Sequence, residues 1–117
     1  LDTTEHSEIK PTDVVQNQLI AYNDHDLDGF AKNYTDNVIL AHVGGEVILR
    51  GVAALREHYR SLFTDFPQSH ADLRYRAEVG NRVIDHEVIT RNPETIIEAV
   101  AIYTVQDGLI ARVDFVA

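Results

Sequence analysis

The sequence predicts an α+β domain, with helices first and a long, mainly antiparallel sheet afterwards. Two observations carry this reading. Apolar residues at helical spacing are confined to the first half of the chain, whereas four strand-like runs fill Gln68 to Ala117. When those runs are paired about a turn at Gly80-Asn81, Arg76 falls opposite Asp85 and Arg74 opposite Glu87. On the other face Ala77 meets Ile84, Leu73 meets Val88 and Tyr75 meets His86. Opposite charges across one face, with a mostly apolar second face, stabilise an antiparallel pair.

The elements follow in order. Residues 1–11 lack periodicity and read as an N-terminal arm, leaving 12–117 as a single domain. Thr12 or Asp13 is expected to cap a first helix, where Val14, Val15, Gln18, Leu19 and Tyr22 recur at helical spacing up to about Asn23. Asn23-Asp24-His25-Asp26 is a turn. Asp26 or Asp28 caps a short second helix bearing Leu27, Phe30, Ala31 and Tyr34, and Asp36-Asn37 forms another turn. Val38 to Val43 reads as a first strand closed by Gly44-Gly45, with Glu46 to Arg50 as a short return broken by Gly51. Val52 to Thr64 is a third helix with Leu55, Tyr59, Leu62 and Phe63 on one side. Long strands are expected at 69–79, 82–91, 95–106 and 109–116. Their turns are Gly80-Asn81, Asn92-Pro93 and Gln106-Asp107-Gly108.

Pairing about Asn92-Pro93 sets His86 opposite Ala99, Val88 opposite Ile97 and Ile84 opposite Ala101. Pairing about the last turn sets Ala101 against Val113, Tyr103 against Ala111 and Ala99 against Phe115. The expected inner face thus holds Leu73, Tyr75, Ile84, His86, Val88, Ile97, Ala99, Ala101, Tyr103, Val113 and Phe115. Its alanines leave room for a pocket. The expected outer face holds Arg74, Arg76, Asp85, Glu87, Glu98, Arg112 and Asp114, with Val100 and Ile102 among them. A one-residue slip in pairing would exchange these faces.

Composition excludes several functions. A chain of 117 residues, 44% hydrophobic and 25% charged, is long enough for one buried core. A formal net charge of -9 argues against nucleic acid and anionic membrane surfaces as partners. There is no cysteine, hence no disulfide or thiolate chemistry. No apolar run approaches the roughly 20 residues of a membrane span. Leu1 to Glu8 is polar and acidic, unlike a signal peptide, so a cytoplasmic location is expected. Glycine-rich phosphate loops and G-x-S-x-G nucleophile motifs do not occur.

The order of elements resembles the cone-shaped α+β barrel of nuclear transport factor two, and in particular its SnoaL-like polyketide cyclase and ketosteroid isomerase branch. Three segments carry the resemblance: Tyr22 to Val38, Arg50-Gly51-Val52-Ala53-Ala54-Leu55, and Glu98 to Phe115 with its Asp107-Gly108-Leu109-Ile110 turn. The resemblance implies three helices packed on a highly curved sheet around an internal cavity, and often a homodimer. Carried over residue by residue, the isomerase base position is His42, its first-helix tyrosine is Gln18 and its strand aspartate is Ala101. A secondary tyrosine is kept as Tyr34. The isomerase catalytic set is therefore not retained. Epoxide hydrolases of this fold use an Asp-Arg-Asp set facing the cavity, which the expected outward placement of Asp85, Arg74 and Arg76 disfavours.

What remains is a cavity with imidazoles. His42 is the candidate general base, because a histidine titrates near neutral pH; the bland alternative is a strand-end histidine bonded to backbone. His86 is the candidate acid or donor, oriented by Tyr75; the alternative is a satisfied core histidine. Tyr22, Tyr34, Tyr59 and Tyr103 can bury their rings and point hydroxyls at a ligand, although plain packing is the commoner use. His58, Tyr75, Ala101 and Phe115 complete the expected ligand-binding wall. His6, His25 and His70 read as surface residues. Two histidines fall short of the three or four groups zinc needs, so no metal is expected, and no cofactor. The expected activity is proton transfer on an apolar carbonyl-bearing or cyclic molecule, as in isomerisation, cyclisation or dehydration. The alternative is a non-catalytic ligand-binding or dimeric module of the same fold. Val100 and Ile102 on the outer face point to a homodimer through the sheet.

Overall fold

A computed structural model describes residues 9–117. The expectations for most of the N-terminal arm, including His6, lie outside the described residues. Helix α1 spans Pro11–Asn23 and starts earlier than expected. Lys10 is its N-cap, and the Lys10 backbone N–H donates to the Asp13 carboxylate at 3.2 Å. Thr12 and Asp13 therefore sit inside the first turn, not at the cap. Pro11 permits this, since its fixed φ suits the first helical position and it has no N–H to satisfy. Helix α2 spans Leu27–Ala31 and is capped by Asp26, whose side chain accepts from the Gly29 N–H at 3.0 Å. A Cβ at Gly29 would lie 2.2 Å from Asp26 Oδ2, so the cap needs a glycine there.

Strand β1 spans Tyr34–His42, beginning four residues before the expected start. Asp36-Asn37 is not a turn. Those residues fall where the pairing register shifts between Tyr34 and Ile39, so an irregular strand absorbs them. Strand β2 (Val47–Arg50), helix α3 (Val52–Asp65) and strands β3 (His70–Val79), β4 (Arg82–Asn92), β5 (Thr95–Gln106) and β6 (Leu109–Val116) match the expected segments to within a residue or two. The sheet order is β2-β1-β6-β5-β4-β3. Only the β1–β6 pair is parallel, because the crossover through β2, α3 and the long strands brings β1 back beside the last strand. Phe30, Leu40, Leu55, Ile110, Val15, Val38, Val83 and Val113 are the largest fully buried apolar side chains, and they join the three helices to the concave face. No described helix is long and apolar enough to cross a membrane.

The register differs from the expectation at one decisive place. Next to the β3–β4 turn the expected pairs hold: Arg76 faces Asp85, Ala77 faces Ile84 and Tyr75 faces His86. Between Leu73 and Tyr75 an extra residue, Arg74, is taken up, so Leu73 meets Glu87 and not Val88. Across β4 and β5 the register is offset by one: His86 faces Val100, Glu87 faces Ala99, Asp85 faces Ala101 and Ile84 faces Ile102. The cause lies at the turn. Asn92 pairs with Thr95 around Pro93-Glu94, and an irregularity between Thr90 and Asn92 takes up Arg91. Asn92 Oδ1 accepts the Glu94 N–H at 2.9 Å, which favours this turn over the expected Asn92-Pro93 one. An offset of one exchanges faces. Asp85, Glu87 and Arg76 therefore point inward, and His86, Tyr75, Ile84 and Val88 lie on the outer face. Across β5 and β6 the offset is two, with Ala101 facing Phe115 and Tyr103 facing Val113, so those faces are as expected.

Candidate functional site

A partly open cavity of about 370 Å³ lies between the concave sheet and the helices. This is at the low end of pockets that take small organic ligands, about 300–1,000 Å³. Leu19, Leu40, Leu62, Ile89, Ile97, Val113 and Phe115 make its wall largely apolar. Tyr22, Phe30, Tyr34, Tyr59 and Phe63 pack as an aromatic cluster on the helical side, with Phe30 and Tyr59 centroids 4.5 Å apart. Ala99 opposite Glu87 is what leaves space above the sheet.

Glu87 is the group of chemical interest. It is 6% exposed, lines the cavity, and its Oε2 is buried with no hydrogen-bond partner among the described residues. Its pKa is raised from 4.5 to about 7, first because burial penalises the charged form and second because the Asp85 carboxylate lies nearby. The Arg76 guanidinium opposes this rise without cancelling it. Arg76 is committed elsewhere. Its Nε and Nη2 donate to the two oxygens of fully buried Asp85 at 2.7 and 2.9 Å, and its Nη1 donates to Gln16 at 2.9 Å. One carboxylate of the strand is thus neutralised by a bidentate arginine. Its neighbour two residues on is left unpaired.

A directed hydrogen-bond chain runs beside Glu87. The Tyr34 hydroxyl donates to Gln18 Oε1 at 3.0 Å, and Gln18 Nε2 donates to the Tyr103 hydroxyl at 3.1 Å. Tyr103 is therefore an acceptor within the protein, and its own proton remains free for an oxygen in the cavity. Burial holds the Tyr34, Tyr59 and Tyr103 hydroxyls well above their usual pKa, so they stay protonated donors at neutral pH. Glu87 and the neighbouring tyrosines add to this rise.

Beyond Glu87 on the same strand, Arg91 Nη1 donates to the Tyr22 hydroxyl at 2.6 Å and to Ser69 Oγ at 3.3 Å. Arg91 is half-buried and also lines the cavity, as do His42 and His58. Burial, and secondarily the Arg91 charge, lower the His58 pKa, so His58 is neutral at pH 7. Among the described residues no group of three or more His, Asp or Glu side chains converges as a metal ion would need.

A family model described as a SnoaL-like domain matches residues 15–113. The chain belongs to the SnoaL-like domain family. Solved structures agree on the fold. An uncharacterised cystatin-fold protein from Novosphingobium aromaticivorans superposes with TM-score 0.89 and 26% identity, covering 94% of this chain and all of that one. A protein from Sinorhizobium meliloti provisionally named a polyketide cyclase gives TM-score 0.77 at 17% identity, covering 92% and 100%. One from Kribbella flavida provisionally named a ketosteroid isomerase gives 0.77 at 16%, covering 90% and 75%. No curated protein sequence matches. The α+β fold with a curved mixed sheet is shared by all three neighbours.

Within the SnoaL-like domain, Tyr22, Tyr34, His42, His58, Tyr59, Tyr103 and Phe115 line the cavity. Three expected site residues do not. His86 is on the outer face, 2.6 Å from the Glu98 carboxylate, and Tyr75 beside it is 67% exposed. Ala101 is buried between Asp85 and Phe115, outside the cavity wall. The one-residue offset of β4 against β5 explains His86 and Tyr75. Asp85 and Arg76 are inward, which overturns the reason for setting aside an Asp-Arg-Asp set. Asp85 is nevertheless sealed against Arg76 and is not part of this cavity's wall, and Arg74 is exposed. Sequence reasoning missed Glu87, Gln18 and Arg91 as a set. The available signal was the alternation of Val83, Asp85, Glu87 and Ile89, which places these four side chains on one face, with Arg91 entering the cavity from the irregularity that follows.

Proposed function

We propose that this SnoaL-like domain is a proton-transfer enzyme of the isomerase, cyclase or dehydratase type, acting on an apolar carbonyl-bearing or cyclic small molecule. The observation that carries this is Glu87: an unpaired carboxyl in the wall of an apolar cavity, with a pKa of about 7. A general base works best when its pKa lies near working pH. Ionised Glu87 takes a proton from the carbon next to a carbonyl. The C–H electron pair moves into the enolate, whose oxygen receives a hydrogen bond from Tyr103, with Gln18 and Tyr34 holding that tyrosine in place. Glu87 then returns the proton to another carbon of the enolate in isomerisation, to the alkoxide oxygen formed when the enolate carbon adds to a second carbonyl in cyclisation, or to a departing hydroxide in dehydration. The chemistry calls for no cofactor. His42 lines the same cavity. The names of the Sinorhizobium and Kribbella neighbours support this class of reaction.

The test is deuterium uptake from D2O into a panel of cyclic ketones and polyketide-like 1,3-diketones. Wild type should accelerate exchange, with a rate that rises with pH through about 7 and then levels. Glu87→Gln should slow it by about 10²–10⁴-fold. Panel compounds that bind without any accelerated exchange would leave a non-catalytic ligand-binding module as the better account.

We also infer that a second copy of the chain covers the outer face of the sheet. Val100 and Ile102, with Ile84 and Val88 beside them, are only half-buried there, and Tyr75 and Ile96 are 67% and 63% exposed. Ile102→Asp should lower the sedimentation coefficient to that of a monomer, and an unchanged profile would reject this interface.

A further inference from the structure

The proposed chemistry uses Glu87 and Tyr103 and leaves Arg91 without a task. Among the described residues Arg91 is the only lysine or arginine in the cavity wall. The protein has 19 acidic residues against 10 basic ones, and Arg56, Arg60, Arg74, Arg76 and Arg112 each pair with a carboxylate. Arg91, half-buried, pairs with none among the described residues. Its protein partners are two neutral oxygens, both reached through Nη1 alone. The Nε–Nη2 edge carries no protein partner among the described residues, and that edge is the fork that matches a carboxylate in a bidentate pair. Tyr22 and Ser69 bond to one another at 2.8 Å and hold the opposite side of the guanidinium, so it is oriented before any ligand arrives.

Position then defines the ligand. Arg91 and Glu87 both line the cavity and are four residues apart on β4, which separates them by at most about 13 Å along the strand. Apolar Ile89 lies between them, and Ile97 borders the same cavity. We propose that the cavity binds an amphipathic monoanion, an apolar carboxylic acid whose carboxylate sits on Arg91 while its reacting carbon lies over Glu87. One half-buried cation balances one charge, which favours a carboxylate over a doubly charged phosphate. The cation also supplies a local counter-charge in a protein whose net charge of -9 would otherwise repel anions. This proposal rests on the same cavity as the proton-transfer reading, and it specifies the substrate class.

The test is binding by calorimetry, independent of turnover. The probes are 2-naphthoate, its isosteric carboxamide and 2-naphthyl phosphate, measured against wild type, Arg91→Gln and Arg91→Lys at low salt. Wild type should bind the carboxylate at least about tenfold more tightly than the carboxamide. It should also bind it more tightly than the phosphate. Arg91→Gln should lose the preference for the acid while keeping the carboxamide affinity, and Arg91→Lys should keep part of it. Glu87→Gln should retain the preference. Equal binding of acid and amide by wild type, a stronger phosphate complex, failure of every probe to bind at millimolar concentration, or an acid preference that survives in Arg91→Gln would each overturn the assignment. If Arg91→Gln does not fold, the wild-type ranking and Arg91→Lys decide. Acid preference without proton exchange would reject the enzyme reading alone; exchange on neutral ketones without acid preference would reject the Arg91 role alone.

Discussion

The two faces of β4 carry the same kinds of residue and use them in opposite ways. On the outer face His86 and Glu98 form a hydrogen-bonded pair open to water, with side-chain exposures of 37% and 70%. On the inner face Arg76 and Asp85 form a bidentate pair with Asp85 fully buried, and Glu87 beside them has no partner. Water screens the outer pair, so its formation and loss change the free energy little. The inner groups have no solvent to fall back on. Each must be paired, or else change its protonation state. The unpaired inner carboxyl is the one that acquires a pKa suited to catalysis. A partly compensated charge cluster thus leaves one carboxyl titrating near neutral pH, which a fully compensated one would not.

Three substitutions would break or sharpen this contrast. The largest effect should come from Arg76→Met, which leaves Asp85 buried without its counter-charge. Removing one partner of a buried pair costs about 3–5 kcal/mol, seen as a fall in the urea midpoint at pH 7. A loss below about 1 kcal/mol would mean that Asp85 finds water or a proton, and the inner face would then behave like the outer one.

Glu87→Gln should have the next largest effect on stability, and its sign depends on pH. The pKa of Glu87 is about 7 in the folded protein and near 4.5 unfolded. Below 4.5 both states are protonated and burial carries no charge penalty. As pH rises from about 4.5 to beyond 7, the unfolded state ionises first, and the native state loses stability relative to it. At about 1.36 kcal/mol per pKa unit, the penalty at pH 8 is about 3 kcal/mol. The glutamine variant should therefore be more stable than wild type at pH 8 and near parity at pH 4, as read from urea titrations at both. Equal stability at both values would show that the folded protein does not hold this carboxyl protonated.

The smallest effect belongs to the outer face. His86→Ala should change stability by no more than about 1 kcal/mol and leave deuterium exchange into cyclic ketones unaltered. A large loss of exchange would return His86 to the catalytic role expected from the sequence and refute the observed facing of β4.

Much of the fold was legible in the residues. The periodicity of Val14 to Tyr22, the glycine and asparagine turns, and the long β-branched runs located nearly every element. Asp107-Gly108 shows why: both residues take positive φ, at 53° and 80°, which a tight two-residue hairpin turn demands and these residue types tolerate. Seven of the ten expected site residues line the cavity, because aromatic residues on the inner sides of helices and strands have few other places to go. The reactive group was not legible. Arg76 opposite Asp85 reads equally well as a solvated outer pair or a buried inner one, since pairing across strands does not say which side faces the core.

The sequence by itself determined the elements, their order, the family and the apolar cavity wall, because propensity, turn chemistry and hydrophobic spacing are local properties. Only the tertiary structure decided which way β4 faces. A single residue, Arg91, taken up beside the Pro93-Glu94 turn, reverses every side chain on that strand relative to its neighbour, and the energy that selects this register comes from packing against β5, β6 and the helices. That choice placed Glu87 inside, in the cavity wall, and left it beside Asp85 with no partner among the described residues.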